Sequence, residues 1–449
     1  MYKKITNIFN NKVNNEILKK SFHTLFFRVF GFFFSYLFTF LIIQFYNSKV
    51  LGIYTLSITI LNISLMISLL GFDNLFLRLI TKFSSKQEFT RIYNLYFKGF
   101  IITSCVALFI FLLLFYYSDY ISHNIFSKEE MLLPIKIISF FILPLSILSL
   151  LSAIFRSNKN IIFYSFFKFL SIPFLSCIFI ISYNFYDFDI IAPLISYGTS
   201  ILLSLGLAFY LFAKYHFFPL LRNRDKKNAV KNNTIKSLLG QSLPFLIASS
   251  MLFLLKWSDS LMLGHYRSLE EVGVYSLTFK ISSLIGIILI AVNSIAAPKF
   301  SDFYSLNQMN KFKEIINFSS KLIFWLALPL FLLIIFLSGL LLNFFGQEYM
   351  IGKNTLIILC FSQFYNTMCG SVGYILMMTD NQTIYTKIIF LSFTLNIILN
   401  IFLIPAYGIL GAAFSSLISM ILWNTISVYI VNKKFNIFTM YIPFLKNNN

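Results

Sequence analysis

Apolar stretches of about 20 residues recur along this chain from one end to the other. A helix of that length is about 30 Å long, which matches the hydrocarbon core of a bilayer. Only 12% of the 449 residues are charged and 58% are hydrophobic, whereas soluble globular proteins carry about 25% charged residues. The sequence therefore predicts an all-α integral membrane protein with many spans, and it excludes a water-soluble enzyme.

Hydropathy and helix-breaking residues divide the chain into twelve predicted spans. Their bounds are 22–46, 52–72, 93–118, 132–155, 160–183, 189–213, 238–264, 272–297, 315–344, 353–379, 383–404 and 409–432. The longest interruption is basic and separates two groups of six. The predicted domains are a cytoplasmic arm (1–21), an N-lobe (22–213), a basic cytoplasmic linker (214–237), a C-lobe (238–432) and a cytoplasmic tail (433–449).

The positive charge is distributed unevenly across the predicted membrane. With the N-terminus inside, 27 Lys and Arg residues fall in cytoplasmic segments, 5 in outer segments and 4 within spans. Cytoplasmic loops of membrane proteins carry this excess. The bias predicts that both termini are cytoplasmic, and it accounts for most of the net charge of +20 without a nucleic-acid partner.

An internal repeat relates the two groups of spans. Residues 52–60 (GIYTLSITI) align with residues 273–281 (GVYSLTFKI) at a shift of 221, with four of nine positions identical. The same shift aligns Arg78 with Lys299. Six spans is an even number, so the two lobes are predicted to be pseudo-symmetric and to share one orientation in the membrane.

Several short motifs occur together in this order along most of the chain. They are Leu51-Gly52-Ile53-Tyr54, 71–78 (GFDNLFLR), Pro244, 259–264 (DSLMLG), 272–275 (VGVY), 298–301 (PKFS), 345–349 (FGQEY) and 396–413 (NIILNIFLIPAYGILGAA). In these motifs the chain resembles the polysaccharide transporters of the multidrug/oligosaccharidyl-lipid/polysaccharide exporter (MOP) superfamily. Within them it is most similar to the Wzx-type O-antigen flippases.

The resemblance implies a flippase of the bacterial inner membrane. Such a protein moves an undecaprenyl-diphosphate-linked oligosaccharide from the cytoplasmic to the periplasmic leaflet by alternating access between two six-helix lobes, as in MATE-like folds. The resemblance also implies a membrane-lipid environment, a polysaccharide polymerase as partner, and an H⁺ or Na⁺ gradient as driving force. It implies no other cofactor, and it leaves the oligomeric state and the sugar undefined.

Two cations within spans are the first candidates for binding substrate, because charges at membrane depth are costly. Lys280 lies near the middle of its span, with Ser276 and Ser283 on the same helical face. It either faces the substrate or pairs with another residue of the lobe. Arg28 either binds the diphosphate through its planar guanidinium group or extends back to the lipid headgroups of the cytoplasmic leaflet. The resemblance favours both residues as a clamp for the headgroup.

Other charged residues are candidates for further steps of transport. Lys256 is a further candidate for binding substrate in the cationic cavity. Lys256 and Asp259 are spaced i, i+3 and could pair; the pair could couple transport to protons, or it could be a static salt bridge. The resemblance also allows Asp259 a role in closing the gate. Lys168 faces the substrate or extends to the interface. Arg78 and Lys299, at the predicted inner mouth, either attract anionic headgroups or follow the positive-inside rule.

The sequence offers no motif for catalysis or for binding a metal. Residues 346–354 (GQEYMIGKN) lack the spacing of a phosphate-binding loop, and the four His residues are scattered. Three alternatives to the flippase remain. A multidrug or metabolite antiporter predicts acidic residues in the cavity, a membrane-bound polymerase or ligase predicts a large outer loop, and a lipid II flippase would share the same fold.

Overall fold

The computed structural model describes residues 12–184, 190–222, 234–441 and 443, with side chains for all of these except 12–22, 247–249, 252 and 256. Every regular element in the described ranges is a helix, which confirms the predicted all-α fold. Within these described ranges, nine helices are long and apolar enough to cross a membrane, and two bent helix pairs raise this number to eleven. The helix Ile235–Tyr266, of 32 residues, covers the predicted span 238–264.

The helices before the predicted linker cover the six predicted spans of the N-lobe, and one further helix lies between the second and third of these spans. They are α1 (Lys12–Phe45), α2 (Ser48–Leu69), α3 (Phe72–Ser85), α4 (Phe89–Tyr116), α5 (Leu132–Phe140), α6 (Ile142–Ser157), α7 (Ile161–Ser165), α8 (Ser171–Asn184) and α9 (Ala192–Phe212). A π-helical turn, Phe166–Leu170, joins α7 to α8. Shorter helical turns occupy Ser118–Tyr120, Ile121–Ile125, Glu129–Met131, Ala213–Phe217 and Phe218–Arg222.

The second set of helices begins after the linker. It comprises α10 (Ile235–Tyr266), α11 (Leu269–Ser305), α12 (Met309–Phe336), α13 (Ser338–Phe345), a 3₁₀ helix (Gln347–Gly352), α14 (Lys353–Met368), α15 (Val372–Met378), α16 (Gln382–Tyr407) and α17 (Ile409–Phe435). Two predicted spans, 132–155 and 353–379, are bent rather than straight. The bends are 43° between α5 and α6 and 44° between α14 and α15.

The chain forms two compact units. The first unit comprises Met1–Tyr46 and Ser57–Ser250, and the second comprises Asn47–Leu56 and Met251–Asn449. Helices α2 and α10 are each divided between the units. The predicted lobe boundaries stay a prediction, since residues 223–233 of the linker lie outside the described residues.

Helix α3 forms much of the core of the first unit. Its apolar residues recur every three or four positions, which places them on one helical face. Phe72, Phe76 and Ile80 on that face are fully buried, and they belong to the same core cluster as Phe155 of α6. The opposite face carries Arg78, which is exposed. Helix α3 is therefore amphipathic, unlike the uniformly apolar spans around it.

The outer surfaces of the longest helices are apolar. Phe336 is 80% exposed, Phe402 is 70% exposed and Phe109 is 65% exposed. Contiguous exposed apolar surface is rare on soluble proteins. Together with the self-satisfied backbone of the helices, this surface identifies a multi-pass membrane protein.

The repeated segments contact each other within the second unit. A Cβ atom added to Gly52 would lie 1.9 Å from the carbonyl oxygen of Leu269, and one added to Gly273 would lie 1.9 Å from that of Ser48. The shift of 221 relates Ser48 to Leu269 and Gly52 to Gly273, so the contact is symmetric between repeat-related residues. It requires glycine at both positions, because the two helix backbones touch.

Candidate functional site

Arg28 lies against an aromatic ring rather than at the end of its helix. Its guanidinium carbon is 5.1 Å from the centroid of the Phe169 ring. Its Nε atom is buried and has no hydrogen-bond partner among the described residues. A cation over a ring face is attracted to the negative charge of the π-system. The stacking holds the guanidinium plane in place while leaving its N–H groups available to another acceptor.

The π-helical turn Phe166–Leu170 explains how Phe169 reaches Arg28. A Cβ atom added to Gly31 would lie 2.2 Å from the carbonyl oxygen of Phe169, so α1 and the turn are in backbone contact at this point. Arg28 lies one helical turn before Gly31, on the same face of α1. Single π-helical turns inside longer helices occur frequently at functional sites.

A second guanidinium lies against the same aromatic surface. Arg156, at the end of α6, has its guanidinium carbon 5.4 Å from the centroid of the Tyr164 ring. The rings of Tyr164 and Phe169 are in turn 6.1 Å apart in an edge-on arrangement. Two stacked pairs, Arg28 on Phe169 and Arg156 on Tyr164, are therefore adjacent within the first unit.

Lys168 adds a third cation to this group. Its side chain is exposed, and it interacts electrostatically with the carboxylate of Asp73 and with the guanidinium of Arg156. We name the set of Arg28, Arg156, Lys168, Tyr164 and Phe169 the cation–aromatic cluster. Counted together with Asp73, the three cations of the cluster carry a formal charge of +2.

The cation–aromatic cluster has the chemistry of a site for a phosphorylated sugar. A guanidinium group held against a ring presents N–H donors in a planar arrangement, and phosphate oxygens can accept two parallel hydrogen bonds from it. The half-buried rings of Tyr164 and Phe169 could offer apolar contacts to a pyranose ring. Arg28 and Lys168 were predicted as site residues, whereas Arg156 falls in the predicted cytoplasmic segment between the spans 132–155 and 160–183 and neither ring was predicted. Only the fold reveals which of the many aromatic residues lies beneath a given arginine.

The second unit contains a buried carboxylate with several hydrogen-bond donors. Asp259 of α10 is 2% exposed. It accepts hydrogen bonds from Tyr275 Oη at 2.8 Å, from Asn396 Nδ2 at 3.1 Å and from Asn400 Nδ2 at 2.7 Å. The Oγ atom of Ser416 donates a further bond. The donors come from α11, α16 and α17, so four helices of the second unit converge on this carboxylate.

The amides around Asp259 are oriented by a small network. Asn396 Oδ1 accepts hydrogen bonds from Ser258 Oγ at 2.7 Å and from Asn400 Nδ2 at 3.1 Å. Asn400 Oδ1 is buried and has no hydrogen-bond partner among the described residues. We name Asp259, Tyr275, Asn396, Asn400 and Ser416 the Asp259 network. It gathers carboxylate, amide and hydroxyl oxygens, which are ligands for hard cations.

The donors of the Asp259 network were not predicted as site residues. Asn396 and Asn400 contributed only to the family resemblance, although two Asn residues four positions apart in an apolar helix are themselves a signal. The predicted partner, Lys256, has its side chain outside the described residues. Among the described residues no cationic side chain pairs with Asp259. The predicted gating or coupling role of Lys256 and Asp259 stays a prediction.

Lys280 lies in the second unit, on α11, and is half-buried. The two serines predicted on its face donate within their own helix, Ser276 Oγ to Gly273 O at 2.9 Å and Ser283 Oγ to Lys280 O at 2.7 Å. Their hydroxyl protons are therefore used by α11 itself, and only their lone pairs remain for other groups. The joint clamp of Arg28 and Lys280 stays a prediction.

The two cations of the predicted inner mouth are both exposed. Arg78 lies on the polar face of α3, and Lys299 lies near the end of α11. Their exposure is compatible with contact to lipid headgroups and equally with a solvated position. Their role therefore stays a prediction.

Comparison with known proteins identifies the family. The polysaccharide biosynthesis protein family matches residues 17–304, and the MatE family matches residues 244–402. The "Probable low-salt glycan biosynthesis flippase Agl15" of Haloferax volcanii is 27% identical over 195 residues, 43% of this chain and 41% of that protein. A proposed O-antigen transporter of Shigella flexneri is 27% identical over 166 residues, 36% of this chain and 39% of that protein. Each match spans less than half of the relative's length.

The fold also matches a solved transporter. The structure named "Lipid II flippase MurJ, inward closed conformation" aligns with a TM-score of 0.70 and covers 93% of this chain and 89% of that one, at 18% identity. At this identity the likeness concerns the fold. The polysaccharide family match covers more than half of the chain. The chain therefore belongs to the polysaccharide biosynthesis protein family of the MOP superfamily, as its motifs predicted.

Proposed function

We propose that the protein is a flippase that moves an undecaprenyl-diphosphate-linked oligosaccharide from the cytoplasmic to the periplasmic leaflet of the bacterial inner membrane. The cation–aromatic cluster is the observation that carries this proposal. It combines two stacked guanidinium groups, a lysine and two rings, which suits a ligand made of a diphosphate joined to a sugar. The family and the names of its relatives in Haloferax and Shigella support the same substrate class.

The transport needs no chemical step, and the protein is not proposed to be an enzyme. The polyprenyl tail stays in lipid while the protein shields the headgroup and sugars from the hydrocarbon. An inside-negative potential favours outward movement of an anion by about 2.3 kcal/mol per charge per 100 mV. Cations that neutralise the diphosphate lower the cost of its passage through the low-dielectric region.

Coupling to an ion gradient is assigned in this proposal to the Asp259 network. A buried carboxylate among neutral donors can take up a proton or an alkali cation. Sodium would find oxygen ligands in Asp259, in Ser416 and in Asn400 Oδ1, which has no hydrogen-bond partner in the described part of the chain. Because four helices converge there, occupancy of the network would change how they pack. The ion is H⁺ or Na⁺, and no other cofactor is proposed.

A cation-coupled multidrug antiporter is the alternative from the same superfamily. It would bind cationic drugs and would require an acidic site, whereas the cation–aromatic cluster has an excess of positive charge. A lipid II flippase carries the same diphosphate chemistry. The two flippases therefore differ in the glycan that accumulates when the gene is absent.

Lipid extraction and mass spectrometry on a deletion strain test the proposal. The expected result is accumulation of an undecaprenyl-diphosphate oligosaccharide, which wild-type protein removes and the variants Arg28→Ala and Lys280→Ala do not. If both variants remove the accumulated lipid, the flippase proposal stands, but neither Arg28 nor Lys280 is required for transport. Accumulation of lipid II would identify the alternative glycan. An unchanged lipid profile in cells that make the glycan would contradict the flippase proposal.

A further inference from the structure

The chain turns back on itself after the last long helix. Helix α17 ends at Phe435, and Asn436 adopts the left-handed conformation with φ of 52°. Residues 437–441 continue without helical structure, and their burial alternates. Ile437 and Thr439 are each 1% exposed, whereas Phe438 between them is 39% exposed. Alternation of this kind is typical of an extended segment with one face against protein.

This segment contacts the break in the bent span formed by α14 and α15. Helix α14 ends at Met368 and α15 begins at Val372, with Gly370 between them at φ of +73°. A break leaves backbone carbonyl groups without their helical partners. The N–H group of Tyr441 donates to the carbonyl oxygen of Met368 at 3.1 Å, which supplies one of the missing donors.

The packing around the break is close on both sides. A Cβ atom added to Gly370 would lie 2.4 Å from Ser320 Oγ of α12 and 3.3 Å from the carbonyl oxygen of Thr439. The ring of Tyr441 packs edge-on against Phe324 of α12, with centroids 5.2 Å apart. The segment therefore lies between the break and helix α12.

The contact with α12 lies deep along that helix. At 1.5 Å per residue, Phe324 is about 22 Å from the start and about 18 Å from the end of Met309–Phe336. Non-helical backbone is tolerated at such depth only where protein or a polar cavity surrounds it. The burial of Ile437 and Thr439 meets this requirement.

We propose that residues 436–441 form a strap that holds the broken span in its bent shape. The strap supplies a donor to Met368, closes the space beside Gly370 and anchors both to α12 through Tyr441. Without it the break opens, because the Met368 carbonyl loses its partner and the buried face of α15 loses Ile437 as a neighbour. The strap is a conformational device, and it does not depend on which substrate the protein carries.

Cys369 offers a direct readout of the strap. Its thiol is in the break and is fully buried, in a cluster with Val372 and Val428 against which Met440 packs. The parent protein for the test carries Cys105→Ser, Cys177→Ser and Cys360→Ser, so that Cys369 is its single cysteine. The measurement is the rate at which N-ethylmaleimide labels this protein after purification in detergent.

Two deletions make a matched pair. Removal of residues 436–449 is expected to raise the labelling rate about tenfold, since it removes a hydrogen bond and buried apolar contacts. Removal of residues 444–449, which keeps the strap, is expected to leave the rate at the parent value. Equal rates in both deletions would overturn the proposal.

Two substitutions decide the matter if the longer deletion fails to fold. Tyr441→Pro removes the N–H donor to Met368, whereas Tyr441→Phe keeps that donor and the aromatic ring. The proposal expects faster labelling of Cys369 in the proline variant and parent-like labelling in the phenylalanine variant. Parent-like labelling in both would show that the strap does not hold the break.

Discussion

Arg156 shows how an individual contact separates a site residue from its neighbours. Both Arg156 and Lys159 are exposed and belong to one predicted cytoplasmic segment, so the positive-inside rule treats them alike. Only Arg156 stacks on Tyr164 in the cation–aromatic cluster. Arg156→Ala is expected to slow removal of the lipid-linked oligosaccharide about tenfold, because the loss of one charge-assisted hydrogen bond to the substrate has an effect of about this size. Lys159→Ala, measured by the same lipid extraction, is the control and should retain transport; equal losses would contradict the assignment.

Asp259 allows a prediction about coupling. Asp259→Asn replaces one carboxylate oxygen with an N–H₂ group, which cannot accept the hydrogen bonds that Tyr275, Asn396 and Asn400 donate. Each buried donor left without an acceptor lowers the free energy of unfolding by roughly 1–3 kcal/mol. We expect a lower thermal unfolding temperature in detergent and transport that no longer responds to dissipation of the H⁺ or Na⁺ gradient. Asp302→Asn, at an exposed position of α11, should change neither property. A variant at Asp259 that folds and keeps its response to both gradients would refute the coupling role.

The sequence identified Asp259, Arg28 and Lys168, but it identified neither Arg156 nor the uncharged residues around these sites. Asp259, Arg28 and Lys168 are conspicuous because charge is rare in apolar helices. Their partners are ordinary residues far along the chain, and only helix packing brings Asn400 to Asp259 or Tyr164 to Arg156. The spacing of residues within one helix is readable, whereas the rotation of one helix against another is not.

At the scale of elements, the contact of Gly52 with Gly273 makes the internal repeat testable. Gly52→Ala and Gly273→Ala each place a Cβ atom 1.9 Å from a carbonyl oxygen, so the helices must separate. Overpacking of this kind costs about 1–3 kcal/mol, and we expect each variant to unfold at a lower temperature in detergent.

Gly206→Ala in α9 is the control, because a Cβ atom there would meet nothing within 4 Å. An alanine in that helix interior should be neutral or stabilising by about 0.5–1 kcal/mol. Matched unfolding temperatures in all three variants would exclude the contact.

The elements themselves follow from hydropathy more closely than their shapes do. The predicted span 93–118 corresponds to the helix Phe89–Tyr116, and 409–432 corresponds to Ile409–Phe435. The break at Gly370 was not predicted. It interrupts an apolar run without lowering the hydropathy of that run, so a pattern that measures only polarity does not detect it.

For the whole molecule, the distribution of charge makes a prediction about orientation. Ser85, the last residue of α3, lies in a predicted cytoplasmic segment, whereas Asn124 follows α4 in a predicted outer segment. Both side chains are exposed, so a cysteine at either position can meet an aqueous reagent.

The measurement uses intact cells of a strain with a permeable outer membrane, and the protein carries Cys105→Ser to remove the exposed native thiol. We expect a membrane-impermeant maleimide to label Asn124→Cys in these cells. Ser85→Cys should be labelled only after the inner membrane is disrupted. The physical reason is the cost of moving basic loops outward against an inside-negative potential. Labelling of Ser85→Cys in intact cells would contradict the predicted orientation, and with it the direction of the proposed transport.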